Sequence, residues 1–314
     1  MEYRNLGQSG LLVSVVGLGC NNFGGRLDVE QTRTVAYKAI DLGITLFDTA
    51  DIYGNQGGSE ENLGKVLGPK RQEIVLASKF GGAMADTDYM KGASRRYIMS
   101  AVEASLRRLR TDYLDLYQLH FPDPRTPMEE TLRALDDLVR QGKVRYIGCS
   151  NLPAWQVVES LWMSRTGNMA EFVSCQDEYS LVVRDLEKEL LPAIESYGLG
   201  LLPYFPLASG LLTGKYSRNA PMPEGTRLAN TERLARRYMT DANWDVVEKL
   251  EPWVKERGRT MLELAFSWLA RRPGVSSVIA GATKPEQLEQ NVQAVSWELT
   301  DEDMAEIDRL SGRA

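Results

Sequence analysis

A single histidine, His120, occurs in the chain, in the stretch Tyr117–Asp123, YQLHFPD. Histidine changes charge near neutral pH, so a lone one is a candidate proton carrier, although a structural place at a strand end is the commoner role. Two other stretches carry reactive groups behind apolar residues. In LFDTADIYG, Asp48 follows Leu46 and Phe47, and Tyr53 comes five residues later. In VLASKF, Lys79 follows Leu76, Ala77 and Ser78. A half-buried Asp and Lys can be a purely structural ion pair. They can also tune an acid. A free phenol has a pKa of about 10, too high for efficient proton donation at neutral pH, and an adjacent ammonium lowers it by stabilising phenolate. Asp48, Lys79 and Tyr53 therefore read as a tuned proton donor, provided the fold brings them together.

The elements that would do so repeat along the chain. After a hairpin-like start (YRNLGQSGLLVS), strand-like runs fall at 15–19, 45–50, 74–79, 113–120, 145–150, 172–176, 199–204 and 276–282. Between them apolar residues recur at helical spacing, as in Val35, Ala39 and Leu42, in Ile98, Val102, Leu106 and Leu109, in Leu132, Leu135 and Val139, and in Leu288, Val292 and Val295. Pro127, Pro153 and Pro285 mark helix starts, and Gly43, Gly68, Gly142 and Gly198 mark helix stops. Strands alternating with helices predict a parallel α/β sheet. Eight of them, without GxGxxG after the first, predict a (β/α)8 TIM barrel with an N-terminal β-hairpin and a C-terminal helix, one domain over 1–314. The polar, turn-rich segment 217–241 reads as a mobile loop over one barrel face.

Barrel catalysis belongs at the C-terminal strand ends. Those ends are Asp48, Lys79, His120, Ser150 with Asn151, Gln176 and Tyr204. One polar residue there means little; a ring of them on one rim points to a site.

Composition narrows the function further. The net charge of −6 and the lack of a basic run argue against nucleic-acid binding. Three cysteines without CxxC spacing, and one histidine, argue against a zinc site and for a reducing, cytoplasmic setting. No apolar signal core or membrane-spanning run is visible, so the expectation is a cytosolic protein with no membrane partner.

The whole chain resembles the aldo-keto reductase superfamily. The resemblance rests on GLGCNNFGG, LFDTADIYGNQGGSEENLGKVL, ASKFG, YLDLYQLHFPDP, LVRQGKVRYIGCSN, CQDEYSLVVRD, PYFPLASGLLTGKY and GATKPEQLEQN, in matching order and spacing. The PLASGLLTGKY segment, and Gly281 where the aldose-reductase group has lysine, make it more similar to bacterial reductases and potassium-channel β-subunits. The resemblance implies a catalytic tetrad of Asp48, Tyr53, Lys79 and His120. Tyr53 would protonate a carbonyl oxygen as hydride arrives, Lys79 held by Asp48 would tune it, and His120 would orient the carbonyl.

The resemblance also implies NADPH as cofactor, with NADH possible. Ser150, Asn151 and Gln176 would hold its carboxamide. Tyr204 would stack on nicotinamide, though alone it reads equally as a core aromatic. Leu207, Ser209, Gly210, Leu212 and Lys215 would clasp the pyrophosphate, although Lys215 also reads as a solvated loop lysine. Gly281, Thr283, Lys284, Gln287, Gln290 and Asn291 would meet the adenosine end at a helix N-terminus. Gln287 stands where an arginine often grips the 2′-phosphate, and Lys284 would substitute as a point charge. The expected partner is a small-molecule carbonyl compound, met by Asn22, Phe23, Tyr53, Phe80, His120 and Phe121, with Trp155 nearby. No cationic ring demanding an anionic substrate is evident outside the loop residues of 216–240. Two competing readings are a cofactor-binding regulatory protein of the channel β-subunit type with little turnover, and a sugar-phosphate isomerase with a phosphate site after strands seven and eight.

Overall fold

In the computed structural model, which describes residues 1–312, the chain opens with the antiparallel pair β1 (Tyr3–Asn5) and β2 (Leu12–Ser14). The last two positions of the expected 1–314 span lie outside the described residues. Eight parallel strands follow: β3 (Val16–Gly19), β4 (Leu46–Asp48), β5 (Val75–Phe80), β6 (Leu114–Leu119), β7 (Val144–Ser150), β8 (Phe172–Gln176), β9 (Gly200–Leu201) and β10 (Val278–Gly281). They pair in the order β10-β3-β4-β5-β6-β7-β8-β9. The ring is completed by backbone bonds from Leu201 N–H to Gly274 O (2.8 Å), Ser276 N–H to Leu201 O (3.0 Å) and Ile279 N–H to Pro203 O (2.9 Å). The architecture is the (β/α)8 barrel that the alternation of runs predicts. β9 is shorter than the expected 199–204, because Pro203 has no N–H to continue the ladder.

The interior of the barrel is filled by Leu46, Val75, Ala77, Leu116, Leu202 and Ile279, with Leu6 and Val13 of the hairpin closing the N-terminal end. Eleven α-helices lie outside among the described residues: α1 (Val29–Asp41), α2 (Tyr53–Val66), α3 (Arg95–Leu109), α4 (Met128–Arg140), α5 (Ala154–Gly167), α6 (Leu190–Tyr197), α7 (Glu232–Tyr238), α8 (Asp241–Glu256), α9 (Met261–Arg271), α10 (Pro285–Ala294) and α11 (Asp301–Leu310). Ile98, Val102, Leu106 and Leu109 of α3 are all buried against the strands. In α4 the buried stripe runs through Leu138, and Val139 is only half-buried. Pro127 and Pro153 cap their helices from just outside, and Pro285 is the first residue of α10. Gly43, Gly68, Gly142 and Gly198 all take positive φ at helix ends, as expected.

Segment 217–241 departs from the expected open loop. Its end folds into α7, whose Leu234 and Tyr238 are buried. Glu178 accepts from the Tyr238 hydroxyl and pairs with Arg237, tying α7 to the end of β8. No helix among the described residues is long and apolar enough to cross a membrane.

Candidate active site

Parallel pairing aligns Asp48, Lys79, Ser150 and Gln176 at or next to the C-terminal ends of their strands, with His120, Asn151 and Tyr204 just beyond theirs. Lys79 is fully buried. Its Nζ donates to Asp48 Oδ2 at 2.6 Å and Thr49 O at 3.0 Å, and reaches the Tyr53 hydroxyl at 3.4 Å. An ammonium has three protons, and all three have an acceptor here. The second oxygen of Asp48 accepts from Gln118 Nε2 (3.2 Å) and Gln176 Nε2 (2.9 Å). Gln118 was not among the residues singled out from sequence. It lies one residue before the end of β6 and is fully buried, which order along the chain does not show.

Burial works against the Lys79 charge, but Asp48 and Tyr53 outweigh it and hold its pKa above the usual value. The expected lowering of the Tyr53 pKa by Lys79 is present, but it is outweighed. Burial of the phenol dominates and raises its pKa, and the opposing effect of Lys79 does not overcome it. Tyr53 is a neutral, protonated hydroxyl beside a permanent cation.

His120 is buried and lies edge-on to Tyr53, with ring centroids 5.7 Å apart. It stacks on Phe121 at 4.1 Å. Its Nδ1 has no hydrogen-bond partner among the described residues. Burial, then the Lys79 charge, push its pKa down to about 2, so the imidazole is neutral through the physiological range.

Asn151 joins the next residues of the rim. Its backbone is left-handed, with φ +60°. Its Nδ2 donates to His120 O and to Ser150 Oγ, both at 3.0 Å, and its Oδ1 accepts from the Tyr204 hydroxyl at 2.7 Å. Ser150 Oγ donates to Gln176 O at 2.7 Å. Ser150, Asn151, Gln176 and Tyr204 are thus one bonded group.

Beyond Tyr204 the backbone is left-handed at Phe205, Ala208, Ser209 and Gly210, which curls Leu207–Lys215 into a tight cradle. Ser209 Oγ is buried there without a partner among the described residues. Leu212 is buried, Leu207 is half-buried and Lys215 is exposed. Two arginines missed by sequence reading complete this region. The Arg227 guanidinium lies over the Phe205 ring at 5.0 Å, and Arg26 is close enough to repel it. Burial, then Arg26, lower the Arg227 pKa. Neither arginine forms an ion pair with a carboxylate among the described residues. Arg227 falls within the 216–240 segment, where a cation without a compensating acid was not recognisable from order alone.

At the eighth strand, Gln287 Oε1 accepts from Thr283 N–H (2.7 Å), Lys284 N–H (3.2 Å) and the Thr283 hydroxyl (3.2 Å). Gln287, the third residue of α10, therefore caps the helix start by reaching back to the backbone of Lys284 and Thr283. Gly281, Lys284 and Gln290 are exposed, and Asn291 is buried.

The residues expected around a substrate divide. Asn22 is buried, and its amide donates to Ala282 O at 3.4 Å. Phe23 and Phe80 are fully buried and present no surface to a ligand, contrary to expectation. Phe80 packs on Tyr117 at 4.9 Å, because it follows the inward-facing Lys79 and alternation sends it to the helix layer. Phe121 and Trp155 do lie open, 43% and 63% exposed. The loop after β3 is held against the Tyr53 turn by a backbone contact: a Cβ on Gly24 would lie 2.2 Å from Gly58 C.

Comparison with known proteins agrees with this geometry. The sequence pattern of the aldo/keto reductase family matches residues 15–311. A probable voltage-gated potassium channel subunit beta of Oryza sativa subsp. japonica is 39% identical over 302 residues, covering 94% of this chain and 91% of that protein. An L-glyceraldehyde 3-phosphate reductase of Escherichia coli (strain K12) is 36% identical, covering 98% of this chain and 92% of that protein. An uncharacterised oxidoreductase of Bacillus subtilis (strain 168) is 37% identical, covering 96% and 93%. The chain belongs to the aldo/keto reductase family.

Proposed function

We propose that this protein reduces aldehydes and ketones to alcohols with NADPH, using Tyr53 as the proton donor. As an aldo/keto reductase it is an oxidoreductase acting on carbonyl compounds. The observation that carries the finer reading is the line from the half-buried Tyr53 OH to the buried Lys79 Nζ (3.4 Å) and Asp48 Oδ2 (2.6 Å). A phenol that is protonated at rest can give its proton to a carbonyl oxygen. The phenolate left behind is then stabilised by the adjacent ammonium. Asp48 holds that ammonium charged, and Gln118 and Gln176 hold Asp48. His120, neutral and edge-on to Tyr53, hydrogen-bonds the carbonyl oxygen and orients it.

A nicotinamide dinucleotide, when bound, supplies the hydride. The residues present fit one. Among the described residues Arg26 and Arg227 form no ion pair with a carboxylate, and Ser209 Oγ is a buried hydroxyl without a partner, beside a left-handed cradle. These groups suit phosphate oxygens. Lys284, exposed at the start of α10, suits the 2′-phosphate and favours NADPH over NADH. The open Phe121 and Trp155 favour a substrate with apolar surface at the mouth. We read the chain as one barrel domain working in the cytoplasm; all three cysteines are free and buried, which suits that setting.

A second reading is a cofactor-bound interaction protein of the channel β-subunit type, favoured by the 39% identity to the rice protein. A panel of aldehydes and ketones assayed with NADPH and NADH separates the two. Turnover that depends on NADPH supports the reductase. Tight NADPH binding without turnover on any member supports the interaction protein. No binding of either nucleotide overturns both.

A further inference from the structure

Asp51 lies three residues after Asp48 and two before Tyr53, on the segment that joins the two catalytic groups. It is 1% exposed, and its backbone N–H donates to Lys79 O at 3.1 Å. Its Oδ2 accepts from the Tyr97 hydroxyl of α3 at 3.1 Å. The same hydroxyl lies 3.4 Å from Gly82 O, in the loop 81–94 that follows β5. A phenol has one proton and donates to one of these acceptors at a time. Among the described residues the other Asp51 oxygen and the buried Tyr117 hydroxyl have no hydrogen-bond partner, while the backbone N–H of Ile52 acts on the Asp51 carboxylate and favours its charge.

The charged and titratable groups facing Asp51 are Glu60 of α2, Tyr97 and Arg108 of α3, and Tyr117 of β6. Arg108 Nε is bound to Glu60 Oε2 at 2.7 Å, and Ser78 Oγ donates to Glu60 Oε1 at 2.5 Å. The one cation of the cluster is thus committed to Glu60, and Asp51 is left without one. A buried carboxylate in that position takes up a proton. Burial, then Glu60, push its pKa up to about 7.

Two proton arrangements follow. With Asp51 ionised, Tyr97 donates to Asp51 and Gly82 O loses its partner. With Asp51 protonated, its own O–H donates to the Tyr97 oxygen, and the Tyr97 proton turns to Gly82 O. Gly82 is packed directly on the Tyr53 turn: a Cβ there would lie 2.3 Å from Ile52 Cγ2. We propose that Asp51 is a positioning residue for Tyr53, acting through an Asp51–Tyr97–Gly82 hydrogen-bond relay whose two arrangements hold or release the 81–94 loop against Ile52. The positioning role rests on Tyr53 as proton donor.

Amide hydrogen exchange in residues 81–94 tests the relay without substrate, so its outcome is independent of whether Tyr53 is the donor. Between about pH 6 and about pH 8 the ionised fraction of such an acid goes from roughly a tenth to roughly nine-tenths. After correction for intrinsic exchange, loop protection in the full chain is expected to fall by about threefold or more over that interval. Asp51→Asn keeps a donor toward Tyr97 at every pH, so its loop should stay protected at both. Tyr97→Phe, one oxygen smaller, should be unprotected at both. The kcat of the wild type should fall across the same interval with the NADPH Kd unchanged, and the Asp51→Asn profile should be flat. Equal loop protection at the two pH values in the wild type overturns the proposal. So does a pH response in Asp51→Asn or Tyr97→Phe that matches the wild type.

Discussion

Lys79 Nζ lies 2.6 Å from Asp48 Oδ2, and both side chains are closed off from solvent. Removing one member of such a pair leaves the other as an uncompensated buried charge, a cost of about 3–5 kcal/mol. Lys79→Met and Asp48→Asn should each lose stability in denaturant unfolding and lower kcat/KM by about 100-fold or more. The double variant should regain much of the stability and none of the activity. Recovery of activity in the double variant would mean that the pair is only structural.

The depressed pKa of His120 has a stability consequence with a definite sign. Its folded value is about 2, against an unfolded value of about 6.5. The unfolded chain therefore binds the extra proton between those limits. The contribution to stability is present above about pH 6.5 and is lost as pH falls below it, by up to about 1.4 kcal/mol per pH unit. His120→Gln should flatten the dependence of Tm on pH below that point. An unchanged slope would show that the ring is solvated.

Arg227 combines partial burial with a like-charged neighbour, and it pairs with no carboxylate among the described residues. Its charge is a cost to the free protein and a gain once phosphate is bound. Arg227→Ala should weaken NADPH binding by about tenfold, reduce its salt dependence, and leave Tm equal or higher. A fluorescence titration at two ionic strengths, with a melting curve, reads all three. A lower Tm with unchanged affinity would assign Arg227 to the fold.

Gln287→Arg has two opposed effects because Gln287 caps α10 through three bonds. The new guanidinium should tighten NADPH binding. Loss of the cap should cost about 1 kcal/mol, a Tm decrease of a few degrees. Unchanged affinity for NADPH would remove the adenosine end from this helix.

Much of this protein is legible in its sequence because barrel strands are apolar runs that end in polar residues. That pattern located all eight strands and put Asp48, Lys79, His120 and Gln176 on one rim. What stayed hidden depends on side-chain direction and burial. Phe80 reads as a mouth residue from its place at a strand end, but alternation after Lys79 turns it outward into the helix layer. The rise in the Tyr53 pKa follows from desolvation of a half-buried phenol, which order along the chain does not encode. Segment 217–241 looks like a loop by its two prolines, its glycine and its polar residues, yet Leu234 and Tyr238 are enough to dock its end as a helix. The bond of Gln118 to Asp48 and the nearness of Arg26 to Arg227 join distant segments, and they are visible only once the ring is closed.

The central claim is that the Tyr53 hydroxyl supplies the proton, and removal of that one oxygen tests it most directly. Tyr53→Phe should lower NADPH-dependent carbonyl reduction by about a thousandfold or more while the NADPH Kd stays within about twofold. Reduction at near wild-type rate in a folded, NADPH-binding Tyr53→Phe protein would contradict the account.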